Sequence, residues 1–227
     1  MASQGPAPHN SGQLRQPQRY PAIGLPAAVS ATVKPAGRPT IVGCQNGYHN
    51  NMDLAGKKIA ILVDNFYQEM ELWYPLFRFQ EAGATVITAG AKAGETYASK
   101  LGYPVKCQLS YDDLKTADFD GVVVPGGYAP DHIRRHPKAN RFVEDMDAAG
   151  KLVAAICHGP WVLCSAGSLL KGRKATSFFA IKDDVVNAGA HWVDAEVVVD
   201  KNLVTSRKPE DLPAFCRACI AALAGAL

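Results

Sequence analysis

Strand patterns alternate with helical patterns along most of this chain. Continuous apolar runs occupy residues 59–63, 121–124 and 152–156, and their length is typical of strands that are covered on both faces. Residues 69–82 instead place apolar side chains at helical spacing and stop before Gly83. Strands that alternate with helices form a mostly parallel sheet with helices on both of its faces. The sequence therefore predicts an α/β fold with its active site at the carboxyl ends of the strands.

Further segments extend this pattern on both sides. The remaining predicted elements are a strand at 85–89, a short extended piece at 103–110, a helix at 138–149, a hairpin formed by 192–200 and 202–205, and a closing helix at 209–223. Lys182-Asp183-Asp184 predicts a helix cap near the site.

The first 52 residues differ in composition from the rest. They contain no Asp or Glu, and seven of the fifteen prolines lie in the first 50 positions. We expect residues 1–52 to be a disordered or targeting extension and residues 53–227 to form a single catalytic domain. Scarce serine and frequent proline favour Met52 as the natural start, so we expect a cytoplasmic protein. The alternative is a plastid or mitochondrial transit peptide, of which an acid-poor segment with arginines is typical.

Several classes of function are disfavoured by composition. Residues 53–227 carry 20 basic and 21 acidic residues, which argues against nucleic acid as a partner. No apolar run is long enough to predict a membrane span. The six cysteines have neither the spacing of a zinc site nor that of a disulfide framework, and His132 and His136 lack a third ligand, which predicts surface solvation. No phosphate-binding loop follows the first strand, so we expect neither a metal nor a cofactor.

Cys157 is the strongest candidate for chemistry. It follows the apolar run 152–156 and opens a predicted helix at 158–165, a position that exposes a thiol and lowers its pKa. His158 is a candidate base, although a histidine next to a cysteine usually points away from its neighbour's side chain. The Gly126-Gly127 turn ends the preceding strand. The alternative is that Cys157 is a buried structural cysteine.

The segment Ala155-Ile-Cys-His-Gly-Pro160 closely resembles the nucleophile turn of the PfpI/ThiJ superfamily, whose members are intracellular-protease-I-like and protein-deglycase-like. The similarity extends over residues 57–223 and is greatest to the PfpI subgroup. Its further motifs include Glu69-Met-Glu71-Leu, Val124-Pro-Gly-Gly-Tyr-Ala-Pro-Asp131 and Gly172-Arg-Lys-Ala-Thr-Ser177. This resemblance implies a flavodoxin-like sandwich related to class I glutamine amidotransferase domains. It also implies a homo-oligomer, a dimer or hexamer, with an active site near the subunit interface.

The resemblance also implies roles for individual residues. Cys157 is the nucleophile, Glu71 is the acid that approaches its sulfur, and His158 matches the family's histidine. Without the resemblance, Glu71 would be interpreted as a solvated charge on an amphipathic helix. Asp131 occupies the position of an acid that reaches the histidine of a neighbouring subunit, but the subgroup usually has the longer Glu there.

The Gly126-Gly127 turn lies beside the nucleophile in this family-based arrangement. The backbone N–H groups of Gly127 and His158 are therefore candidates for an oxyanion hole. The alternative for Gly126 and Gly127 is a tight turn without a chemical role.

Three functions are compatible with these residues. The first is an enzyme that needs no cofactor and acts on small reactive carbonyls, of the glyoxalase or deglycase type and protective under stress. The second is an intracellular cysteine peptidase, and the third is a redox sensor or chaperone without turnover.

Overall fold

The computed structural model describes residues 53–226, so the expectation for residues 1–52 lies outside the described residues. The strands are β1 (Lys58–Leu62), β2 (Thr85–Gly90), β3 (Thr96–Ala98), β4 (Pro104–Lys106), β5 (Leu109–Ser110), β6 (Gly121–Val124), β7 (Leu152–Ile156), β8 (Lys174–Ala175), β9 (His191–Trp192), β10 (Val197–Asp200) and β11 (Leu203–Ser206). The α-helices are α1 (Glu69–Glu81), α2 (Ala129–Ile133), α3 (Pro137–Ala148), α4 (Pro160–Cys164), α5 (Lys182–Asn187) and α6 (Leu212–Leu223).

The central sheet has seven strands in the order β10-β11-β7-β6-β1-β2-β5. All neighbouring strands are parallel except the antiparallel pair β10 and β11. Helices α1 and α6 contact each other, whereas α2, α3 and α5 pack against α4. This arrangement confirms the predicted α/β sandwich. Strand β2 lies on one side of β1, and β6, which comes later in the chain, lies on the other side of β1. The boundary between β1 and β6 is therefore a topological switch point, the place where α/β proteins bind ligands.

Apolar burial explains the central strands. Every residue of β6 and β7 is buried, as expected of strands that are covered on both faces. Helix α1 packs through a stripe that includes Leu72, Leu76 and Phe79, and Glu71 is buried on the same helix. The Gln68 side chain caps this helix by accepting a hydrogen bond from the Glu71 N–H at 3.0 Å. The fold therefore fixes the backbone of Glu71 beneath the carboxyl edge of the sheet.

Some predicted bounds were wrong. The predicted hairpin is shorter than expected, because His191–Trp192 pairs with Lys174–Ala175 in a separate small sheet. The helix after Cys157 begins only at Pro160, since a turn intervenes. Strand β3 and helix α2 were not predicted, because three and five residues are too few to show a period. Cys216 and Cys219 are buried in α6, where they pack in the core.

No helix within residues 53–226 is both long and apolar enough to cross a membrane.

Arg173 joins three segments at the edge of the sheet opposite the strands' carboxyl ends. Its guanidinium forms ion pairs with Asp147 of α3 at 3.2 Å and with Asp200 of β10 at 3.3 Å, and it donates a hydrogen bond to Asn202 at 3.2 Å. The Arg173 side chain is only 13% exposed, so its removal leaves two carboxylates poorly solvated.

We predict that Arg173→Gln lowers the free energy of unfolding by about 2–4 kcal/mol. Arg141→Gln is the matched control, because Arg141 is 68% exposed and pairs only along its own helix. Its effect should stay within about 0.5 kcal/mol. Urea unfolding of the full chain measures both variants, and equal effects would contradict the structural role of Arg173.

Candidate active site

Cys157 lies in a strained turn directly after β7. Its φ angle is 63°, in the left-handed region that residues other than glycine seldom adopt. Hydrogen bonds on both sides hold this conformation: the Cys157 N–H donates to the Ser206 carbonyl at 3.0 Å, and the Phe178 N–H donates to the Cys157 carbonyl at 2.9 Å. Strained backbone that neighbouring structure enforces is frequent at functional sites.

Gly126 occupies the point where three elements meet. A side chain at this position would meet Glu71 Oε2 at 2.6 Å, Cys157 Cβ at 2.8 Å and the backbone nitrogen of His158 at 2.9 Å. The Gly126 N–H donates a hydrogen bond to Glu71 Oε2 at 2.7 Å. The turn therefore brings a carboxyl, a thiol and the start of the next segment together, and only glycine leaves room for them.

Glu71 is fully buried beneath the thiol. Burial raises the pKa of its carboxyl to about 8, although hydrogen bonds with Gly126 and Cys157 oppose that shift. Glu71 Oε1 has no hydrogen-bond partner among the described side chains and backbone groups. The carboxyl is therefore largely protonated at neutral pH, and the interpretation of Glu71 as a solvated charge is wrong.

The Cys157 thiol is buried rather than exposed, contrary to the expectation from sequence. Burial raises its pKa and an ionised Glu71 raises it further, whereas the backbone N–H groups of His158 and Gly127 lower it. The expected lowering by a helix start is absent because the helix begins three residues later. With Glu71 protonated, the charge repulsion disappears and the carboxyl becomes a hydrogen-bond donor for the thiolate.

His158 points toward its neighbour, contrary to the sequence expectation. Its Nδ1 lies 3.3 Å from the Cys157 sulfur. The imidazole stacks on Phe178 with ring centroids 5.0 Å apart and meets the edge of Trp161 at 5.1 Å. Burial lowers the pKa of His158, and the positive charge of Lys100 adds to that effect. The imidazole is therefore neutral at pH 7.

Trp161 connects this site to α5. Its indole Nε1 donates a hydrogen bond to Asp184 Oδ2 at 2.8 Å, while its ring packs against His158. Asp183 and Asp184 lie in the first turn of α5. Asp183 and Asp184 were predicted to lie near the site, and Trp161 explains this position because it contacts both Asp184 and His158.

A cavity of about 310 Å³ opens onto the thiol. Its lining contains Glu71, Gly127, Cys157 and His158 from the predicted set, together with Gln68, Lys100, Tyr128, Phe178 and Pro209. The last five were not predicted as site residues. A signal existed for Tyr128, which lies within the Val124–Asp131 motif, and for Phe178, which follows the Gly172–Ser177 motif.

Asp131 lies on α2, where its carboxylate forms an ion pair with Arg135 on the surface. It does not line the cavity within its own chain. Its predicted contact with the histidine of a neighbouring subunit stays a prediction.

His132 and His136 are not simply solvated, contrary to the prediction from sequence. His132 Nδ1 lies 3.7 Å from Asp64 and His136 Nε2 lies 3.9 Å from the same carboxylate, which is largely buried at the end of β1. Within residues 53–226, no group of three His, Cys, Asp or Glu side chains is arranged to hold a metal ion.

Comparison with known proteins places these observations in a family. The chain is 48% identical over 160 residues to a deglycase of Pyrococcus horikoshii, covering 70% of this chain and 95% of that protein. It is 42% identical over 161 residues to a Bacillus subtilis protein that bears the name of a candidate cysteine protease, covering 71% and 95% respectively.

A solved structure shares the fold. It is a two-domain protein of Anabaena variabilis with a DJ-1/ThiJ/PfpI-like and a ferritin-like domain, and it superposes with a TM-score of 0.72 at 42% identity. The match covers 75% of this chain and 50% of that protein. The fold is thus the flavodoxin-like sandwich of these proteins. Residues 57–222 match the model of the DJ-1/PfpI family, and the chain belongs to that family.

Proposed function

We propose that this protein is a cofactor-independent enzyme that converts reactive 2-oxoaldehydes to hydroxy acids, with Cys157 as the nucleophile. The observation that carries this proposal is the convergence of three groups on one cavity: the Cys157 sulfur, His158 Nδ1 at 3.3 Å, and the buried Glu71 carboxyl. The similarity to a named deglycase supports a carbonyl compound as the substrate.

In the proposed first step, His158 accepts the proton of the Cys157 thiol while the sulfur attacks the aldehyde carbon. His158 then passes this proton to the resulting oxygen, which leaves a hemithioacetal and a neutral His158. The N–H groups of His158 and Gly127 stabilise negative charge at the sulfur, and in this proposal they also donate hydrogen bonds to the developing oxyanion. The Gly126 N–H does not contribute, because Glu71 already accepts its hydrogen bond. The proposed hole therefore consists of Gly127 and His158.

The later steps move protons between adjacent carbons. Neutral His158 removes the proton from the former aldehyde carbon and passes it to the ketone oxygen. Protonated Glu71 supplies a proton to the substrate's second carbon and takes back the proton of the hemithioacetal hydroxyl, so that both groups return to their starting states. The aldehyde carbon is thereby oxidised to a thioester while the ketone carbon is reduced to an alcohol. Water then hydrolyses the thioester and releases a hydroxy acid and the free thiol, so that no external oxidant or reductant is required.

A cysteine peptidase is the second candidate. The close approach of His158 to the Cys157 sulfur favours it, because the same pair would activate the thiol toward a peptide carbonyl. A relative named as a candidate cysteine protease is consistent with this function. The cavity of about 310 Å³ suits a small molecule better than an extended peptide.

We predict that Cys157→Ser reduces lactate formation from methylglyoxal by a factor on the order of 10³ or more, because the nucleophile is lost. The assay contains no glutathione and quantifies lactate formed by the full chain. Cys164→Ser is the matched control, since Cys164 is a partly buried thiol on the following helix. Undiminished lactate formation by Cys157→Ser would refute the site.

If the parent protein forms no lactate, cleavage of a casein-type substrate that depends on Cys157 would favour the peptidase. Inactivity in both assays would favour the redox or chaperone function.

Glu71 yields a second prediction through its raised pKa. The pKa is about 8 in the folded protein, whereas its ordinary value is 4.5. Between these values the unfolded chain releases the proton and the folded chain retains it, so the wild type loses stability as pH rises. Glu71→Gln cannot lose that proton.

We therefore expect the stability of Glu71→Gln relative to the wild type to increase from pH 4.5 to about pH 8, by up to about 1.4 kcal/mol per pH unit. Urea unfolding at several pH values measures this difference. The control is Glu81→Gln, whose side chain is 75% exposed on the same helix. A difference that does not vary with pH would show that Glu71 is ionised in the folded protein.

An exposed apolar surface supports the proposed oligomer. Met70, Tyr74 and Phe77 on α1 are each at least 41% exposed and line a groove of about 640 Å³ with Leu101 and Tyr103. We propose that a second copy of the chain covers this groove. Leu101 lines this groove and the adjacent Lys100 lines the cavity at Cys157, so this interface would lie beside the active site, as the resemblance implies.

We predict that the double variant Met70→Lys/Phe77→Lys has a lower molar mass by light scattering than the wild-type oligomer, because two charges cannot be buried between copies. Val186→Lys is the control, since Val186 is 44% exposed on α5. An unchanged mass of the double variant would place the interface elsewhere.

A further inference from the structure

The charge balance of the cavity is uneven. Glu71 is largely protonated at neutral pH and His158 is neutral, for the reasons given above. Among the described residues that line the cavity, Lys100 is then the one whose side chain is charged before the thiol ionises. A partly enclosed cavity with one positive charge favours an anionic ligand, because the charge is less screened there than in open solvent.

Lys100 is held at the mouth of the cavity by its backbone. It lies in the turn between β3 and β4, where its N–H donates to the Tyr67 carbonyl at 3.0 Å and the adjacent Ser99 N–H donates to Tyr103 at 2.9 Å. The position of its Cα is therefore fixed, whereas the side chain is exposed and free to reach a ligand.

The ammonium group of Lys100 is available for a ligand. Within residues 53–226, no carboxylate lies within 4.0 Å of it in an ion pair. The charge of Lys100 acts at longer range on the nearby Glu69, which accepts a hydrogen bond from the Leu101 N–H at 2.7 Å. The charge of Lys100 nevertheless acts on Glu71 and on His158. Lys100 therefore stands close to the reacting groups without being neutralised by a direct partner.

We propose that Lys100 binds a carboxylate of the substrate, so that the preferred substrates are 2-oxoaldehydes that carry a carboxylate a few atoms from the carbonyl. This inference rests on the proposed function and names its substrate class. The aldehyde carbon lies at Cys157 while the carboxylate lies at the mouth beside Lys100. Tyr128, Phe178 and Pro209 line the same cavity and provide apolar contacts for the connecting carbons.

A suitable probe is 4,5-dioxopentanoate. Its terminal aldehyde and adjacent ketone undergo the same internal redox reaction as methylglyoxal, in which one water is consumed and one proton released. The product is 2-hydroxyglutarate. Methylglyoxal is the uncharged comparison substrate, because it has the same reacting group and lacks the carboxylate.

The experiment compares kcat/KM for the two probes in the wild type and in three variants. We expect the wild type to prefer 4,5-dioxopentanoate, and we expect Lys100→Gln to lower the ratio of the two kcat/KM values by about tenfold or more, chiefly through KM. Lys100→Arg should restore most of the ratio. Lys106→Gln is the matched control, because Lys106 is an exposed lysine on the adjoining strand β4 and does not line the cavity.

A ratio that Lys100→Gln leaves unchanged, in a wild type that converts methylglyoxal, would overturn the inference and leave the proposed function intact. Failure of the wild type to convert either probe would instead overturn the proposed function. Calorimetry then tests Lys100 independently: glutarate should bind to the Cys157→Ser protein more tightly than to the same protein with Lys100→Gln. Equal affinity for glutarate would overturn the inference without reference to turnover.

Discussion

The burial of the Glu71 carboxyl beneath the Cys157 thiol is the interaction on which the rest of the site depends. A buried carboxylate without a counter-ion is costly, so burial keeps the group protonated even though the hydrogen bond from the Gly126 N–H favours the ionised form. This hydrogen bond brings α1 close to the turn after β6, where a side chain at position 126 would clash with Glu71 and Cys157. The thiol consequently faces a neutral proton donor instead of a second negative charge.

The strained turn at Cys157 is the second element of this arrangement. The parallel strands β6 and β7 end at the same edge of the sheet, so the turns that follow them meet there. A hydrogen bond from the Cys157 N–H to the Ser206 carbonyl of β11 and one from the Phe178 N–H to the Cys157 carbonyl hold Cys157 in its left-handed conformation. The strain directs the sulfur toward Glu71 and brings the N–H groups of Gly127 and His158 beside it. Backbone conformation therefore supplies both the position of the nucleophile and the donors around it.

The sequence predicted the parallel sheet because β6 and β7 are buried on both faces and carry uninterrupted apolar runs. It indicated Cys157 for the same reason, since the residue directly follows such a run. The residues alone did not predict the protonation of Glu71, because the sequence of an amphipathic helix does not show whether a glutamate on it is buried. Lys100 had no signal either: it reaches the cavity only because the β3–β4 turn folds back over the Tyr67 carbonyl.

The protonation states of this site bear on which chemistry the nucleophile performs. Both candidate reactions pass a proton through His158, whose protonated form is disfavoured by burial and by the charge of Lys100. Movement of a proton between adjacent carbons requires in addition a proton donor within reach of the same intermediate. Protonated Glu71 lines the same cavity as Cys157 and His158 and meets that requirement. The raised pKa of Glu71 therefore favours carbonyl isomerisation, which uses this proton, even though both reactions would begin with attack by the same sulfur.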